Sequence, residues 1–235
     1  MTLPKLDLPR YKHHLTGINK EIAYRPFTVR EQKILLHAKE ENTAESNAEA
    51  IKQIIELCTF NKVDPNTLPV FDIEDLFIRI RARSVSDVST IRYKTTYTNE
   101  VGEEKTEYVD VEIDLNQVKV ETNPDHSDTV MLTDTVGIKM KYPCLEMALD
   151  SSQDQDEMEV IRRCIDIVFD QEETYTFSEY SAAEQNEFIE SFDAPALRQI
   201  KTFFDTMPRL RHTQTITVNG ISQDIHFEGL QDFFA

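Results

Sequence analysis

The 235-residue chain is 40% hydrophobic and 29% charged, a composition typical of a soluble protein that buries a core in one large domain or two small ones. Its apolar runs are shorter than the roughly 20 residues that span a bilayer, and its first residues alternate Pro, Lys, Asp and Arg, so the sequence argues against a transmembrane or secreted protein. A net charge of −18 repels phosphates and therefore argues against nucleic-acid binding.

The charge is distributed unevenly along the sequence. Residues 1–39 contain eight basic and three acidic side chains, whereas residues 150–193 contain fourteen acidic and two basic ones. This asymmetry indicates either internal charge complementarity or head-to-tail contact with a partner. The plain alternative is an acidic solvated face that only keeps the protein soluble.

The first predicted elements are an extended arm and a helix. Pro4 and Pro9 fix their own φ angles and bias the preceding residues toward extended geometry, so we expect the arm to lie across a surface instead of folding by itself. Thr28 followed by Glu31 is a capping-box pattern, which predicts a helix over residues 29–39. This N-terminal run is typical of a docking arm rather than of a catalytic loop.

Two more helices are predicted before residue 85. Apolar residues between positions 48 and 58 share one helical face, which predicts a second helix over residues 44–58. A turn cluster follows around Pro65 and Pro69, and Asp72 is the predicted N-cap of a third helix that continues through Ile80.

The pattern then changes to the period of two that is typical of strands. Apolar and aromatic residues alternate with polar ones over residues 91–97 and 108–115, and Gly102 lies between the two runs, so they predict a hairpin. Further short runs up to Met140 predict additional strands of one small antiparallel sheet, with a turn over residues 133–137.

The last third is predicted to be helical and acidic. A stripe of four apolar residues predicts one helix over residues 158–168. Ser181 with Glu184 makes a second capping box, and Pro195 suits the first turn of a further helix that Pro208 ends.

The sequence closes with Asn219-Gly220 between two β-prone runs, the strongest local signal in the chain, which predicts a hairpin with a type I′ turn. Together these elements predict an α+β fold with N-terminal helices, a central small antiparallel sheet, and acidic C-terminal helices that close with a β-hairpin. By segment, we expect an extended arm and helical region in residues 1–85, an antiparallel β region in residues 86–143, and an acidic helical region with the terminal hairpin in residues 144–235.

The residues that carry chemistry form no recognisable catalytic or metal-binding pattern. Cys58, Cys144 and Cys164 are far apart and lie among apolar neighbours, as expected of buried structural thiols. The five glycines are scattered, so no phosphate-binding loop is present in the sequence. His13 and His14 are adjacent in an extended segment, where neighbouring side chains point in opposite directions. We therefore predict no catalytic residue, no cofactor-binding residue, no cofactor and no metal ligand.

One segment near the N-terminus has the residue chemistry of a protein interface. Tyr24, Arg25, Pro26 and Phe27 place two aromatic rings and a guanidinium in a stiff context, a composition enriched at the energetic centres of interfaces. The alternative for this segment is internal packing, with Phe27 acting as a hydrophobic staple just before the helix.

The C-terminal segment is the second candidate for partner binding, because Leu230, Phe233 and Phe234 bring much apolar surface to the end of the chain. Such a segment either docks on its own core or inserts into a partner. We favour internal docking, since the predicted helix around Phe203 and Phe204 offers an apolar surface.

Short segments spread over nearly the whole chain carry a family resemblance: Pro-Lys-Leu at residues 4–6, Tyr-Arg-Pro-Phe at residues 24–27 before a Glu-Gln-Lys-Ile-Leu-Leu helix, IRARSV at residues 80–85, KYP at residues 141–143 and EGLQDFF at residues 228–234. With these segments the chain resembles the baseplate hub assembly protein family of T-even-type contractile-tailed bacteriophages. The resemblance implies a non-enzymatic role in building the tail baseplate.

The resemblance further implies partners among phage tail or baseplate hub proteins, with the tape-measure protein as one candidate, and a place in the host cytoplasm during assembly or in the virion tail baseplate. Two roles fit it, an assembly chaperone and a minor hub component. The first alternative is a permanent structural subunit of the virion baseplate, and a weaker one is a metal-stabilised regulator or enzyme. The sequence does not set the oligomeric state.

Overall fold

A computed structural model of the chain describes residues 6–98, 104–150 and 157–234. In chain order its strands and helices are β1 (Tyr11–Leu15), β2 (Lys20–Tyr24), α1 (Val29–Glu41), α2 (Ala44–Cys58), α3 (Val70–Ser84), β3 (Val88–Thr98), β4 (Glu104–Asp114), β5 (Lys119–Glu121), β6 (Thr129–Met131), β7 (Gly137–Met140), α4 (Leu145–Asp150), α5 (Glu157–Cys164), β8 (Ile165–Phe169), β9 (Thr174–Thr176), α6 (Ala182–Glu190), α7 (Ala194–Thr206), β10 (Arg209–Val218), β11 (Ile221–Glu228) and α8 (Gly229–Phe234). Helices and small antiparallel sheets together confirm the α+β class.

The chain divides into two compact units. Unit 1 contains Met1–Pro65, Phe71–Glu121 and Arg209–Ala235, and unit 2 contains Asn66–Val70 and Thr122–Pro208. The C-terminal hairpin belongs to unit 1 because β10 pairs antiparallel with β5. These boundaries differ from those of the three consecutive segments expected from the sequence, residues 1–85, 86–143 and 144–235.

The N-terminal residues form a hairpin, whereas the sequence predicted an extended arm that lies across a surface instead of folding by itself. β1 and β2 pair antiparallel from Tyr11 opposite Tyr24 to Leu15 opposite Lys20. Asn19 takes a left-handed conformation (φ 48°) in the turn between them, as short polar residues do with little strain. The hairpin forms because it buries Leu15, which is 0% exposed, and Ile22 in unit 1.

The first three helices begin and end for local reasons. Thr28 caps α1, and the Glu31 carboxylate accepts a 2.7 Å hydrogen bond from the Thr28 backbone N–H, which confirms the predicted capping box. The bounds of α2 agree with the prediction. Asp72 lies in the first turn of α3, because that helix already begins at Val70, so its prediction as the N-cap is wrong.

The predicted strands distribute over several sheets instead of one. β3 and β4 form a long hairpin with Ile91 opposite Val111, as the alternating pattern predicts. A second sheet of unit 1 has the order β11-β10-β5, and the tight turn of its hairpin has positive φ at Asn219 (51°) and Gly220 (80°), as a type I′ turn requires. The core of unit 1 brings these strands together with α3 and α8 through Ile78, Ala82, Ile91, Val111, Ile113, Leu115, Val118, Leu210, Ile225, Phe227 and Phe233.

Unit 2 is built on a sheet of the order β6-β7-β8-β9. The helix predicted over residues 158–168 ends at Cys164, and Ile165–Phe169 is strand β8. Its β-branched and aromatic residues suit a strand, and pairing with β7 on one side and β9 on the other overrides the helical spacing.

The last helices of unit 2 agree with their predicted caps. Ser181 and Glu184 form the capping box of α6, and Pro195 lies in the first turn of α7, which Asp193 caps. Both helices pack on the sheet through a core that includes Ile161, Ile165, Phe177, Ile189, Ile200 and Phe203. Within the described ranges, no helix is long and apolar enough to cross a bilayer.

Candidate protein-binding site

Helix α3 carries three acidic side chains that other parts of unit 1 enclose. The first, Asp72, accepts hydrogen bonds of 3.0 Å from the backbone N–H of Gly17 and of 3.2 Å from that of Ile18. Burial raises the pKa of Asp72, although these backbone donors oppose the shift. Asp72 therefore anchors the turn between β1 and β2 on α3 through hydrogen bonds.

The second acidic side chain, Asp75, contacts both a histidine and an arginine. Asp75 Oδ2 lies 2.6 Å from His13 Nε2 on β1, and Oδ1 lies 2.9 Å from Nη2 of Arg79. Arg79 also donates hydrogen bonds to the backbone carbonyls of Leu115, at 2.9 Å, and Val118. Because the donors of a buried ion pair must be satisfied, this network joins β1, α3 and the segment after β4 in one arrangement.

The third, Glu74, holds the C-terminal end of the chain. Glu74 Oε1 accepts a 3.1 Å hydrogen bond from the backbone N–H of Leu230, the second residue of α8. Burial raises the pKa of Glu74 to about 7, and the charge of Glu228 adds to the shift. We call Asp72, Glu74 and Asp75 with the segments they bind the α3 junction.

The predicted interface segment at residues 24–27 lies largely inside unit 1. Tyr24 is 4% exposed, and its ring centroid is 5.6 Å from that of Tyr11. Arg25 Nη2 lies 3.0 Å from the buried Glu31 carboxylate. Pro26 is buried, and Phe27, which is half-buried, donates its backbone N–H to Ser84 Oγ at 2.9 Å. Tyr24, Arg25 and Pro26 therefore hold this segment in place.

Glu31 is the acidic centre of that segment. Burial raises the pKa of Glu31, but hydrogen bonds from Arg25 and Thr28 outweigh this effect and lower it to about 2. The carboxylate is therefore ionised at neutral pH and keeps the Arg25 guanidinium paired.

The C-terminal candidates also face inward where the structure describes them. Phe233 is 0% exposed, its ring centroid lies 5.9 Å from that of Phe227, and Leu230 packs partly buried against the same core. The side chain of Phe234 lies outside the described residues. Internal docking of Phe233 is as predicted, but the receiving surface is formed by β3, β11 and their neighbours and not by the helix around Phe203.

The cysteine thiols have the environment expected of core residues. Burial raises the pKa of Cys58 and of Cys164 to about 12, so neither is a thiolate at neutral pH. Cys144 is half-buried. In the part of the chain that the structure covers, no three His, Cys, Asp or Glu side chains cluster as metal ligands would.

An open concave surface lies in unit 2, which sequence reasoning missed. This aromatic groove has a volume of ≈ 330 Å³ and is lined by Val136, Val168, Phe169, Asp170, Tyr175, Phe177, Tyr180, Glu184, Gln185 and Phe188. The sequence does contain a cluster of aromatic residues after β8, but such a cluster is equally typical of a buried core. The structure distinguishes the two, because Tyr180 is 41% exposed.

Local hydrogen bonds fix the walls of the aromatic groove. Asp170 Oδ1 accepts the backbone N–H groups of residues 172 and 173 at 2.8 Å each, and Oδ2 accepts the Tyr175 hydroxyl at 3.1 Å. Gln185 Nε2 donates to the carbonyls of Phe177 at 2.8 Å and Tyr180 at 3.0 Å. The rings of Tyr175 and Tyr180 meet edge to face at 6.4 Å. A surface held in this way is ordered before anything binds.

Two carboxylates, those of Asp170 and Glu184, line the groove, and the stretch of sequence around them is acidic. Residues 165–190 contain eight acidic side chains and no Lys, Arg or His. Backbone hydrogen bonds lower the pKa of Asp170, and the Ser181 hydroxyl and backbone lower that of Glu184, so both lining carboxylates are ionised at neutral pH. An apolar floor with an anionic rim matches a segment that carries apolar and cationic side chains.

Comparison with known proteins identifies one family. A family model described as T4 bacteriophage base plate protein matches residues 8–235, which include the α3 junction and the aromatic groove. No curated protein and no solved structure matches the chain. The family match confirms the resemblance to base plate proteins of T4-type phages.

Proposed function

Because the chain belongs to the T4 bacteriophage base plate protein family, we propose that it acts without catalysis in the assembly of the base plate hub, as an assembly chaperone or a minor hub component. The observation that carries this proposal is the family match over residues 8–235. Its partners are then other phage tail or base plate hub proteins, with the tape-measure protein as one candidate. It works in the host cytoplasm while the tail is being built.

The chemistry of the described side chains supports a binding role. The thiols of Cys58 and Cys164, with pKa values near 12, are poor nucleophiles at neutral pH. Glu74, whose pKa of about 7 would suit acid–base catalysis, accepts a hydrogen bond from the chain's own backbone at Leu230. Both observations indicate that the two thiols and the Glu74 carboxyl have structural roles.

We propose that the two predicted partner-binding segments act chiefly by shaping the surface of unit 1. Tyr24, Pro26 and Phe233 are buried, so a partner reaches them only if the chain opens. Phe27 and Leu230 are partly exposed and are the members of these segments that offer apolar surface to a partner. Phe27→Ser should therefore weaken co-purification with a candidate hub protein while the melting temperature changes little.

The second candidate function is a permanent structural subunit of the virion base plate, which membership in a family of base plate proteins favours. Quantitative mass spectrometry of mature particles and of partially assembled tails from the same infected cells separates the two roles. A fixed ratio to known base plate subunits in both samples indicates a retained subunit. Presence only in the intermediates indicates a chaperone, and absence from both contradicts a role in the base plate.

A further inference from the structure

The aromatic groove exposes apolar side chains to solvent. The Tyr180 ring is 41% exposed although it contacts Tyr175, and Met131 on edge strand β6 is also 41% exposed. Phe169, which lines the groove, and Met131 both lie against Gly137, where an added Cβ would be 2.3 Å from Phe169 Cζ and 2.9 Å from Met131 Sδ. Exposed apolar surface on an ordered wall is typical of a binding site.

The N-terminal segment of the same chain has the complementary chemistry. Leu6 is 91% exposed, the highest value of any large hydrophobic residue in the described ranges. It precedes Arg10, whose guanidinium lies 4.8 Å from the centroid of the Phe60 ring and fixes the base of the segment on unit 1. The preceding residues include Leu3 and Lys5. The segment therefore offers apolar side chains with the cations Lys5 and Arg10 and the single anion Asp7.

We propose that the aromatic groove binds the N-terminal segment of a second copy of the chain, with Leu6 entering the apolar floor, so that copies associate head to tail. The charges favour this pairing, because residues 1–10 carry Lys5 and Arg10 against the single acidic Asp7, whereas residues 165–190 carry eight acidic and no basic side chains. The groove and the segment are different surfaces of one chain, so each copy offers both halves of a heterologous interface.

Size and stiffness are consistent with this occupant. The groove volume of ≈ 330 Å³ is at the lower end of the range of about 300–1,000 Å³ for ligand sites and suits a few side chains rather than a folded element. Pro9 restricts the backbone of the segment before it binds, which reduces the entropy lost on association.

The first test is sedimentation velocity of the full-length chain over a wide concentration range. We expect concentration-dependent self-association that Leu6→Asp and Tyr180→Ala each abolish and that high salt weakens. The matched controls are Leu36→Asp and Tyr108→Ala, which alter residues of similar type that are 54% and 56% exposed in unit 1 and should leave association unchanged. Melting curves of all four variants verify that they are folded.

The second test separates the groove from the segment. A fluorescent peptide with residues 1–10 is added to the full-length Leu6→Asp variant, which keeps an intact groove, and fluorescence anisotropy follows binding. We expect saturable binding that falls ~10-fold or more when Tyr180→Ala is added or when the peptide itself carries Leu6→Asp, since each change removes a large part of the buried apolar contact.

Three outcomes would overturn the proposal. A chain that stays monomeric together with a peptide that does not bind would exclude the pairing of the segment with the groove. Self-association that persists in Leu6→Asp would show that copies meet through a different surface. A monomeric parent chain whose Leu6→Asp variant nevertheless binds the peptide would mean that the segment occupies the groove of its own chain.

Discussion

Replacing Phe233 with Ala tests whether the C-terminal helix is part of the core of unit 1. The ring is 0% exposed and lies 5.9 Å from that of Phe227, so truncation removes buried aromatic contact. The Phe233 carbonyl accepts a 2.8 Å hydrogen bond from Ser89 Oγ, which the substitution leaves available because it involves only the backbone. The change therefore isolates the contribution of the ring.

The expected loss follows from burial. Phe→Ala at a fully buried position costs about 3–5 kcal/mol of unfolding free energy, and the lower half of the range is expected because α8 ends the chain and can relax into the space. For a protein of this size each kcal/mol lowers the melting temperature by roughly 2–4 °C, so a decrease on the order of 10 °C is expected.

Circular dichroism melts of the parent, Phe233→Ala and Leu36→Ala measure the effect. Leu36 is 54% exposed on α1, and its truncation should change stability by less than about 0.5 kcal/mol. A Phe233→Ala melt that coincides with that of the parent would refute the internal docking of the C-terminal helix. Loss of partner binding without a change in the melt would instead place Phe233 at an interface.

Three further substitutions follow from the structure. The pKa of Glu74 rises from 4.5 to about 7 on folding, so the parent should lose up to about 3 kcal/mol of unfolding free energy as the pH increases from 4.5 to above 7. In urea titrations at several pH values, Glu74→Gln should make the unfolding free energy less dependent on pH. An unchanged pH dependence in this variant would contradict the prediction. The pKa of Glu31 falls to about 2 on folding, so the stabilisation from its carboxylate is present above pH 4.5 and is lost as the pH falls toward 2. Glu31→Gln should lower the unfolding free energy by about 3 kcal/mol at neutral pH, because it removes the negative charge paired with Arg25. A variant as stable as the parent would argue against the buried ion pair. Gly220→Ala should cost about 1 kcal/mol through its φ of +80° alone, since no atom lies within 4 Å of the added Cβ, whereas Gly220→Asn should cost less; equal melts of the two would exclude backbone strain as the cause.

The parts of the fold that depend on neighbouring residues could be predicted from the sequence. The capping boxes at Thr28 and Ser181 and the turn at Asn219 are each decided within a few residues, because the groups that form the hydrogen bonds are close in the chain. The bounds of α2 and the β3–β4 hairpin are likewise encoded in local periodicity.

The errors lie where distant segments compete for the same residues. Residues 165–169 continue a helical stripe in sequence but form β8, because β7 and β9 supply hydrogen-bond partners on both sides. Asp72 has the residue type of an N-cap, yet it lies inside α3 and binds the turn at Gly17, which is 55 residues away. The β1–β2 hairpin was missed because its stability comes from burial against the rest of unit 1.

The sequence by itself determined the family, the α+β class and the opposite charges of residues 1–39 and residues 150–193, since composition, short motifs and local hydrogen bonding are properties of the chain before it folds. Only the tertiary structure decided that Tyr24 and Phe233 are internal and that the aromatic residues around Tyr180 line an open groove. An aromatic side chain has the same pattern in sequence whether it faces a core or a partner, and the difference is set by which distant elements cover it.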